Sequence, residues 1–258
     1  MKKYDISIKW LSVTCFEIRC GDVTVVSDPF VTDCDNTPLT YEAIENCDII
    51  CLSHAHFDHI TDIPALFEKF NPIVLCGDQT AMPLVKWLDC SPARVYPMHP
   101  DTELDFDKVK IRALYGRHTE QGKSFSDQLS AIYRRKSCSD EGVRELQPIG
   151  CLEYRNFFLT FPNGTTVLIW GNDPTPEQKN ICKALRPDIA LIQRPGSLED
   201  LKSKARFAAD IGCSVVIPHH LDFPGVTDTA KLELFKEEYA KLADGCFIIP
   251  NNGEWMEL

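Results

Sequence analysis

The sequence has no uninterrupted apolar run of the roughly 18 residues that a membrane-spanning helix needs. Its first residues include two lysines but no apolar core of signal-peptide length, since Asp5 and Lys9 interrupt them. Basic residues are also scarce, because 27 Lys and Arg face 38 Asp and Glu, a formal charge of −11. Nucleic-acid binding needs a basic surface. We therefore expect a cytoplasmic protein without a membrane span or a nucleic-acid partner.

Closely paired cysteines are missing as well. The chain has 12 cysteines, yet no two of them form C-x-x-C, the spacing typical of zinc ribbons and thioredoxin-like sites. Several lie in apolar runs, such as Cys51 in CDIICLS and Cys246 before Phe247. A buried thiol behaves as a small apolar side chain. We interpret most of these cysteines as core residues of a protein in a reducing compartment.

No linker or low-complexity segment divides the 258 residues, so residues 1–258 are predicted to form one domain. Short β-rich runs give way to alternating strands and helices, and this order occurs twice, in rough halves divided near residue 130. The pattern predicts an α/β or α+β fold built from two sheet-plus-helix halves. The polar residues 134–148 are predicted to form an exposed loop.

Local signals place individual elements. Apolar residues at helical spacing predict a helix over 63–70. Thr175 followed by Pro176 and Gln178 is a capping box that predicts a helix to about Arg186. Turn pairs with glycine predict hairpins near residues 21 and 164.

The segment SHAHFDH carries the strongest chemical signal. Three of the 7 histidines, His54, His56 and His59, fall in it together with Asp58. Side chains two positions apart on an extended chain face the same way, so His54 and His56 are predicted to point to one side. A helix start after them would bring Asp58 and His59 to the same place. Imidazole and carboxylate ligands suit zinc, manganese or iron.

The order H-x-H-x-D-H after an apolar strand resembles the signature of the metallo-β-lactamase superfamily of hydrolases. Further parts of that pattern follow or precede it in the expected order. They are VVSDPF (25–30), GRHT (116–119), VLIWGND (167–173) and VVIPHH (215–220). The resemblance covers most of the chain. It implies a four-layer αβ/βα sandwich, in which two mixed sheets pack face to face with helices outside.

The resemblance also implies two divalent metal ions, zinc or manganese, or else iron, and a set of ligands. The two ligand groups are His54, His56 and His118, and Asp58, His59 and His220, with Asp173 bridging both ions. Asp173 is preferred to Asn172 because a carboxylate bridges two cations, whereas a neutral amide does so poorly. Asp28 would contact the ligands and orient them without binding the metal ions itself.

Two cations about 3.5–4 Å apart lower the pKa of a water between them and polarise a substrate oxygen. Asp58 and Asp173 would orient the resulting hydroxide as catalytic residues. The resemblance thus implies a metal-dependent hydrolase acting on a small ester, lactone or phosphodiester. Within the superfamily, WLSVTCFEI, the D-P-F and the late P-x-H resemble the branch of L-ascorbate-6-phosphate lactonase-like proteins.

Three other functions stay open on the sequence alone: a diiron redox enzyme of the same fold, an RNA-processing phosphodiesterase and a non-catalytic metal-binding protein. Substrate contacts are predicted at Arg194, whose cation would hold a phosphate or carboxylate, at His219 and at Asp222. His99 lies outside the motifs and is predicted to be a loop residue. The expected partner is a small molecule, and the sequence indicates no oligomeric state.

Overall fold

The computed structural model describes residues 4–116, 140–171, 173–221 and 229–258. In these ranges the strands are β1 Ser7–Ser12, β2 Cys15–Cys20, β3 Val23–Ser27, β4 Ile49–Cys51, β5 Ile73–Cys76, β6 Val95–Pro97, β7 Glu103–Asp105, β8 Lys110–Gly116, β9 Tyr154–Thr160, β10 Thr166–Trp170, β11 Ile189–Gln193, β12 Val215–His219, β13 Cys246–Phe247 and β14 Trp255–Glu257. The α-helices are α1 Phe57–Ile60, α2 Ile63–Phe70, α3 Asp78–Leu88, α4 Glu141–Gly150, α5 Pro176–Leu185, α6 Leu198–Asp210 and α7 Thr229–Ala240. Short 3₁₀ turns cover Tyr41–Ala43 and Pro92–Arg94.

The strands form two seven-stranded sheets with corresponding arrangements of parallel and antiparallel strands. The first has the order β14-β1-β2-β3-β4-β5-β6 and the second the order β13-β12-β11-β10-β9-β8-β7. Strands β3 to β6 are parallel in the first sheet, as are β10 to β13 in the second, and the remaining neighbours are antiparallel. The chain changes sheet between Pro97 and Glu103, earlier than the predicted division near residue 130, because β7 and β8 already belong to the second sheet.

The core lies in layers around these sheets. Apolar side chains from both sheets, such as Phe16 and Phe157, fill the space between them. Helices α1 to α4 cover the outer face of the first sheet through residues such as Leu66, and α5 to α7 cover the second through residues such as Phe207. Burying each such side chain contributes roughly 1.5–3 kcal/mol. The predicted four-layer sandwich is confirmed.

Local sequence signals account for several element boundaries. Helix α2 spans the predicted residues 63–70 and ends at Asn71 in a left-handed conformation. Thr175 Oγ1 accepts from Gln178 N, and Gln178 Oε1 accepts from Thr175 N, which is the predicted capping box of α5. The hairpins turn at Gly21 and Gly164, whose φ angles are +57° and +83°. Such φ values suit glycine because it has no Cβ.

The prediction of a loop up to residue 148 was wrong from residue 141 onward. Asp140 accepts from Val143 N (3.1 Å) and caps helix α4, and Val143 and Leu146 are buried against the first sheet. The first part of that loop, residues 134–139, lies outside the described residues. No helix in the described ranges combines the length and the apolar composition needed to cross a membrane.

Candidate metal centre

Most of the predicted ligands lie at one edge of the sandwich, where parallel strands of both sheets end. Asp28 follows β3, the loop after β4 carries His54, and β12 ends at His219. The carboxyl ends of parallel strands share one edge of a sheet, so the loops that follow them meet there. A hydrogen bond from His220 N to Val13 O (2.8 Å) joins the two sheets at this edge.

The rings of His54 and His56, which the sequence predicts to point to one side, are in contact, with centroids 4.6 Å apart. His54 Nε2 lies 3.0 Å from His56 Nδ1, and both residues are buried. In tetrahedral zinc sites with Zn–N distances near 2.0–2.1 Å, two ligand nitrogens lie ~3.3 Å apart. The pair therefore has a separation close to that of two ligands of one ion.

The second predicted group begins at helix α1, which follows His56 directly. His59 Nε2 lies 3.9 Å from Asp58 Oδ2. The ring of His59 lies 4.0 Å from that of His54 and 5.8 Å from that of His220, measured between centroids. The structure thus brings five of the predicted ligands together: His54, His56, Asp58, His59 and His220.

Asp28 supports this cluster from the buried side. Its Oδ1 accepts from Ser53 N (2.7 Å) and its Oδ2 accepts from Ser53 Oγ (2.7 Å). Oδ2 also lies 2.9 Å from His59 Nδ1, although that contact is not aligned as a hydrogen bond. Asp28 adopts a φ of +39°, a strained value for a residue with a Cβ. The residues around Asp28 therefore maintain this conformation, in which the carboxylate contacts Ser53 and His59.

These contacts fix which ring nitrogens carry protons. A carboxylate only accepts, so the proton of His59 is on Nδ1, facing Asp28. Because Ser53 Oγ gives its proton to Asp28, it accepts from His54 Nδ1, 3.0 Å away. For His54 this leaves the lone pair on Nε2, which faces His56. Metal-binding histidines use this arrangement, with one ring nitrogen held by an outer acceptor.

His219 fixes His220 in the same way. His219 Nε2 lies 2.9 Å from the backbone oxygen of Trp170, so it carries the proton of that ring. His219 Nδ1 must then accept from His220 Nδ1, 2.8 Å away. Thr14 Oγ1 also contacts His220 Nδ1, at 3.2 Å. The lone pair of His220 is therefore on Nε2, as a metal ligand requires.

Backbone strain accompanies this corner of the site. His220 has a φ of +62°, and Val13, whose carbonyl accepts its backbone N–H, has a φ of +32°. Positive φ is unusual for a β-branched residue. Arg194 Nε donates to His220 O (2.7 Å) and its Nη1 to Pro195 O (2.8 Å). Strained residues of this kind cluster at functional sites.

The surroundings of the histidines shift their pKa values in opposite directions. Burial alone would lower the pKa of His59, but the carboxylates of Asp28 and Asp58 raise that pKa above its ordinary value. Burial lowers the pKa of His219 to about 3. Burial, followed by the neighbouring His219, lowers the pKa of His220 well below its ordinary value. Both of the latter rings are therefore neutral near pH 7.

Two cations lie on the same side of the site as His219 and His220. Arg194 and Lys204 both contribute to lowering the pKa values of these histidines. Lys204 is buried on α6 and its Nζ lies 3.4 Å from Asp173 Oδ1. The Asp173 side chain is 49 % exposed, unlike the buried histidines. Its described ion pair is with this lysine.

The remaining predicted residues are placed as follows. His219 is fully buried beside His220, and His99 lies in a loop, as predicted, with Nδ1 3.1 Å from Asp78 Oδ2. His118, Asn172 and Asp222 lie outside the described residues. Within the described ranges, no three His, Cys, Asp or Glu side chains form a complete group for a metal ion as they stand.

Sequence reasoning missed several residues of the site. They are Ser53, Thr14, Tyr154, Cys151 and Lys204. The buried ring of Tyr154 lies 4.8 Å from that of His54, and burial together with Asp28 raises the pKa of its hydroxyl. Of these residues, only Ser53 could have been predicted from the sequence, because it directly precedes His54. The others are brought in by strands and helices remote in sequence.

The fold and the site together define a class: a two-sheet sandwich with a histidine-rich, metal-competent edge. A family model described as a Beta-lactamase superfamily domain matches residues 7–140, just over half of the chain. The chain belongs to this family. The predicted superfamily is confirmed.

Individual relatives support the same assignment. A UPF0173 metal-dependent hydrolase of Christiangramia forsetii is 26 % identical over 249 residues, covering 93 % of this chain and 95 % of the relative. One of Salinibacter ruber is 24 % identical over 122 residues, covering 47 % of this chain and only 51 % of the relative. The chain thus spans about half the length of several curated relatives. The structure of Igni18, a metallo hydrolase of Ignicoccus hospitalis, has a TM-score of 0.72 at 15 % identity and covers 97 % of both chains.

Proposed function

We propose that the protein is a metal-dependent hydrolase with a dinuclear site that acts on a small ester, lactone or phosphodiester. The first ion would be held by His54, His56 and His118. The second would be held by Asp58, His59 and His220, with Asp173 bridging the two. The names of the relatives and the membership of the family support the hydrolytic class.

One observation carries the proposal. His54 Nε2, which has a lone pair because Nδ1 faces Ser53, lies 3.0 Å from His56 Nδ1, and both residues are buried. This separation is close to the ~3.3 Å between two nitrogen ligands of one zinc ion, so both nitrogens can serve the same ion. Asp28 at the same time sets the tautomer of His54 through Ser53, and its Oδ2 lies 2.9 Å from His59 Nδ1. Outer contacts of this type are a regular feature of metal sites.

The donor set fits zinc or manganese. Imidazole nitrogen and carboxylate oxygen are borderline and hard ligands that suit these ions. Two such ions would activate a water for attack and polarise the substrate oxygen. Asp58, beside His59, would orient that water and hold its proton. To bridge two ions, the Asp173 carboxylate would have to give up part of its contact with Lys204.

The cations near His219 and His220 favour an anionic substrate. Arg194 donates to two backbone oxygens and keeps its charge, whereas the charge of Lys204 is paired with Asp173 and Asp200. A phosphate or carboxylate in the site would be attracted mainly by Arg194. Substrate contacts by Arg194, His219 and Asp222 are part of the proposal.

The test is a metal and activity assay on purified protein. Elemental analysis measures the zinc, manganese and iron bound per chain. A panel of lactones, esters, thioesters and phosphodiesters is then screened with Zn²⁺ or Mn²⁺. The variants His54→Ala and Asp58→Asn are compared with His99→Ala, which changes a histidine of a neighbouring loop outside the cluster.

We expect bound metal and hydrolysis of at least one substrate class, with both lost in His54→Ala and kept in His99→Ala. Asp173→Asn is expected to lower the stoichiometry from two ions to one. An unchanged stoichiometry would reject Asp173 as the bridge. Iron with redox activity, or bound metal without hydrolysis of any substrate, would reject the hydrolase.

A further inference from the structure

Helix α4 ends against the loop that carries His54 and His56. Gln147, fully buried on its last turn, accepts from Phe57 N through Oε1 (3.1 Å) and donates from Nε2 to Ala55 O (3.2 Å). These are backbone groups of the residues directly before and after His56. Gln147 Nε2 also donates to Val143 O of its own helix (3.0 Å). One side chain therefore fixes the backbone of His56 on both sides.

The last residue of α4 allows a very close approach to His56. A Cβ on Gly150 would lie 2.5 Å from His56 Cδ2 and 2.8 Å from the backbone of Ala55. Distances of this size are too short for a side chain, so only glycine permits this packing. The helix end and the ring of His56 are in direct contact.

The next residue reaches the far nitrogen of the same ring. Cys151 Sγ lies 3.2 Å from His56 Nε2. When His56 binds a metal ion through Nδ1, its proton is on Nε2, and Cys151 Sγ can accept a hydrogen bond from this N–H because a thiol sulfur is a weak acceptor. Nδ1 is the nitrogen which faces His54 Nε2.

We propose that Gln147 and Cys151 are positioning residues of the metal centre: Gln147 fixes the backbone on both sides of His56, and Cys151 holds its Nε2–H so that Nδ1 points at the ion. The inference rests on the proposed function, because it assumes that His56 is a ligand. It extends that function to a helix that supplies none of the ligands. No sequence motif indicates it, since 90 residues of chain lie between His56 and Gln147.

The test measures Zn²⁺ affinity by competition with a chromophoric chelator, and the ligand field of bound Co²⁺ by its visible absorption. The variants are Gln147→Met, which keeps the size but loses the hydrogen bonds, Cys151→Ala and Cys151→Ser. Thr165→Val is the control for Gln147→Met, since it removes a buried hydrogen bond, to Tyr4 O, at the opposite end of the sandwich. Cys90→Ala is the control for the thiol. Thermal unfolding of the metal-free proteins measures stability separately.

We expect Gln147→Met to bind Zn²⁺ about ten- to hundredfold more weakly and Cys151→Ala about tenfold more weakly, with a changed Co²⁺ spectrum in both. Cys151→Ser, which keeps an acceptor, should regain most of the affinity. Thr165→Val and Cys90→Ala should bind as the parent does. If Gln147→Met does not fold, the two Cys151 variants still decide the role of Cys151.

Two outcomes would overturn the inference in distinguishable ways. If His56→Ala loses the metal but Gln147→Met and Cys151→Ala bind it as tightly as the parent, positioning by α4 is wrong and the metal centre stands. If the parent protein binds neither Zn²⁺ nor Co²⁺, the proposed function fails and the inference fails with it. A fall in affinity that Thr165→Val reproduces would assign the effect to stability alone.

Discussion

Asp28 is the residue on which most contacts of the histidines depend. One carboxylate accepts from the backbone and the hydroxyl of Ser53 and faces His59. Through Ser53 it also sets the tautomer of His54. An amide in its place would direct hydrogens at groups that are themselves donors.

Asp28→Asn is therefore expected to weaken Zn²⁺ binding by about ten- to hundredfold, the range found for outer-sphere partners. Chelator competition measures this affinity. Asp188→Asn is a matched control, because Asp188 accepts from the backbone and hydroxyl of Thr166 in the same way at the opposite end of the second sheet. Equal affinities of the two variants would contradict the role of Asp28.

Gly171 permits the close approach of Tyr154 to the site. A Cβ at this position would lie 1.8 Å from the Tyr154 hydroxyl oxygen, so Gly171→Ala must displace the ring that packs on His54. We expect a loss of about 1–3 kcal/mol in the free energy of unfolding, measured in urea. Tyr154→Phe, which removes the clashing oxygen, should restore part of it.

Gly196→Ala is the control for that variant, since nothing lies within 4 Å of a Cβ there. Its free energy of unfolding should stay within about 0.5 kcal/mol of the parent. If Gly171→Ala is equally mild, or Tyr154→Phe gives no recovery, the clash does not account for the glycine.

At the residue scale the sequence was informative where chemistry is concentrated. His54, His56, Asp58 and His59 were predicted as ligands because they share one short segment, and their role stays a prediction. Lys204 was not found, because only the packing of α6 brings it to Asp173. A residue whose role depends on tertiary contact leaves no local pattern.

Among the elements, periodic and capped helices were predicted well, and others were missed for physical reasons. Helix α4 contains Pro148 and begins in a polar stretch, which hides the buried positions Val143 and Leu146. Strands β6, β7 and β14 have three residues each. Segments this short hold no periodicity to recognise, and neighbouring strands determine them.

The first two strands carry an ion cluster on the outer face of their sheet. Lys9 Nζ lies 2.9 Å from Glu17 Oε2 and 2.8 Å from Glu45 Oε1. The hydrogen bond from Lys9, followed by one from Trp255, lowers the pKa of Glu45 from 4.5 to about 2. The folded protein therefore binds this proton less readily than the unfolded chain.

Glu45→Gln is expected to lower the free energy of unfolding near pH 7 by about 0.2–1 kcal/mol, because water screens a half-exposed ion pair. The contribution is complete above pH 4.5 and is lost as the pH falls towards 2. Urea unfolding of both proteins at several pH values should thus show a difference that shrinks between about pH 5 and 3.

Glu257→Gln is the matched control, since Glu257 Oε2 accepts from a hydroxyl, that of Ser7, rather than from an ammonium. Its difference from the parent should not follow the same course with pH. A difference for Glu45→Gln that is constant from pH 7 to pH 3 would contradict the ion-pair explanation.

For the whole molecule, composition and periodicity alone reached only α/β or α+β. The four-layer sandwich was predicted because the histidine motif and the four further motifs resemble those of a known superfamily. The point where the chain passes from one sheet to the other was predicted too late, because nothing in the sequences of β7 and β8 indicates to which sheet they belong. The substrate, the metal and the cytoplasmic location stay predictions.

The proposed ions would also connect the two halves of the fold. His54 and His59 follow a strand of the first sheet, whereas His220 follows a strand of the second. Among the described bonds between the sheets at this corner, one runs from His220 N to Val13 O and another from Arg155 N to Ser53 O. An ion bound by both His59 and His220 would join the two sheets at the same place through side chains.

Metal removal should therefore destabilise the whole protein. Binding to the folded state alone stabilises it by about 2.7 kcal/mol at a metal concentration a hundredfold above Kd. For a chain of 258 residues, this corresponds to a rise in Tm of roughly 5–10 °C. Calorimetry with Zn²⁺ or with EDTA measures it. The rise should disappear in His220→Ala and persist in His99→Ala, whereas a parent Tm indifferent to EDTA would mean that no ion bridges the two sheets.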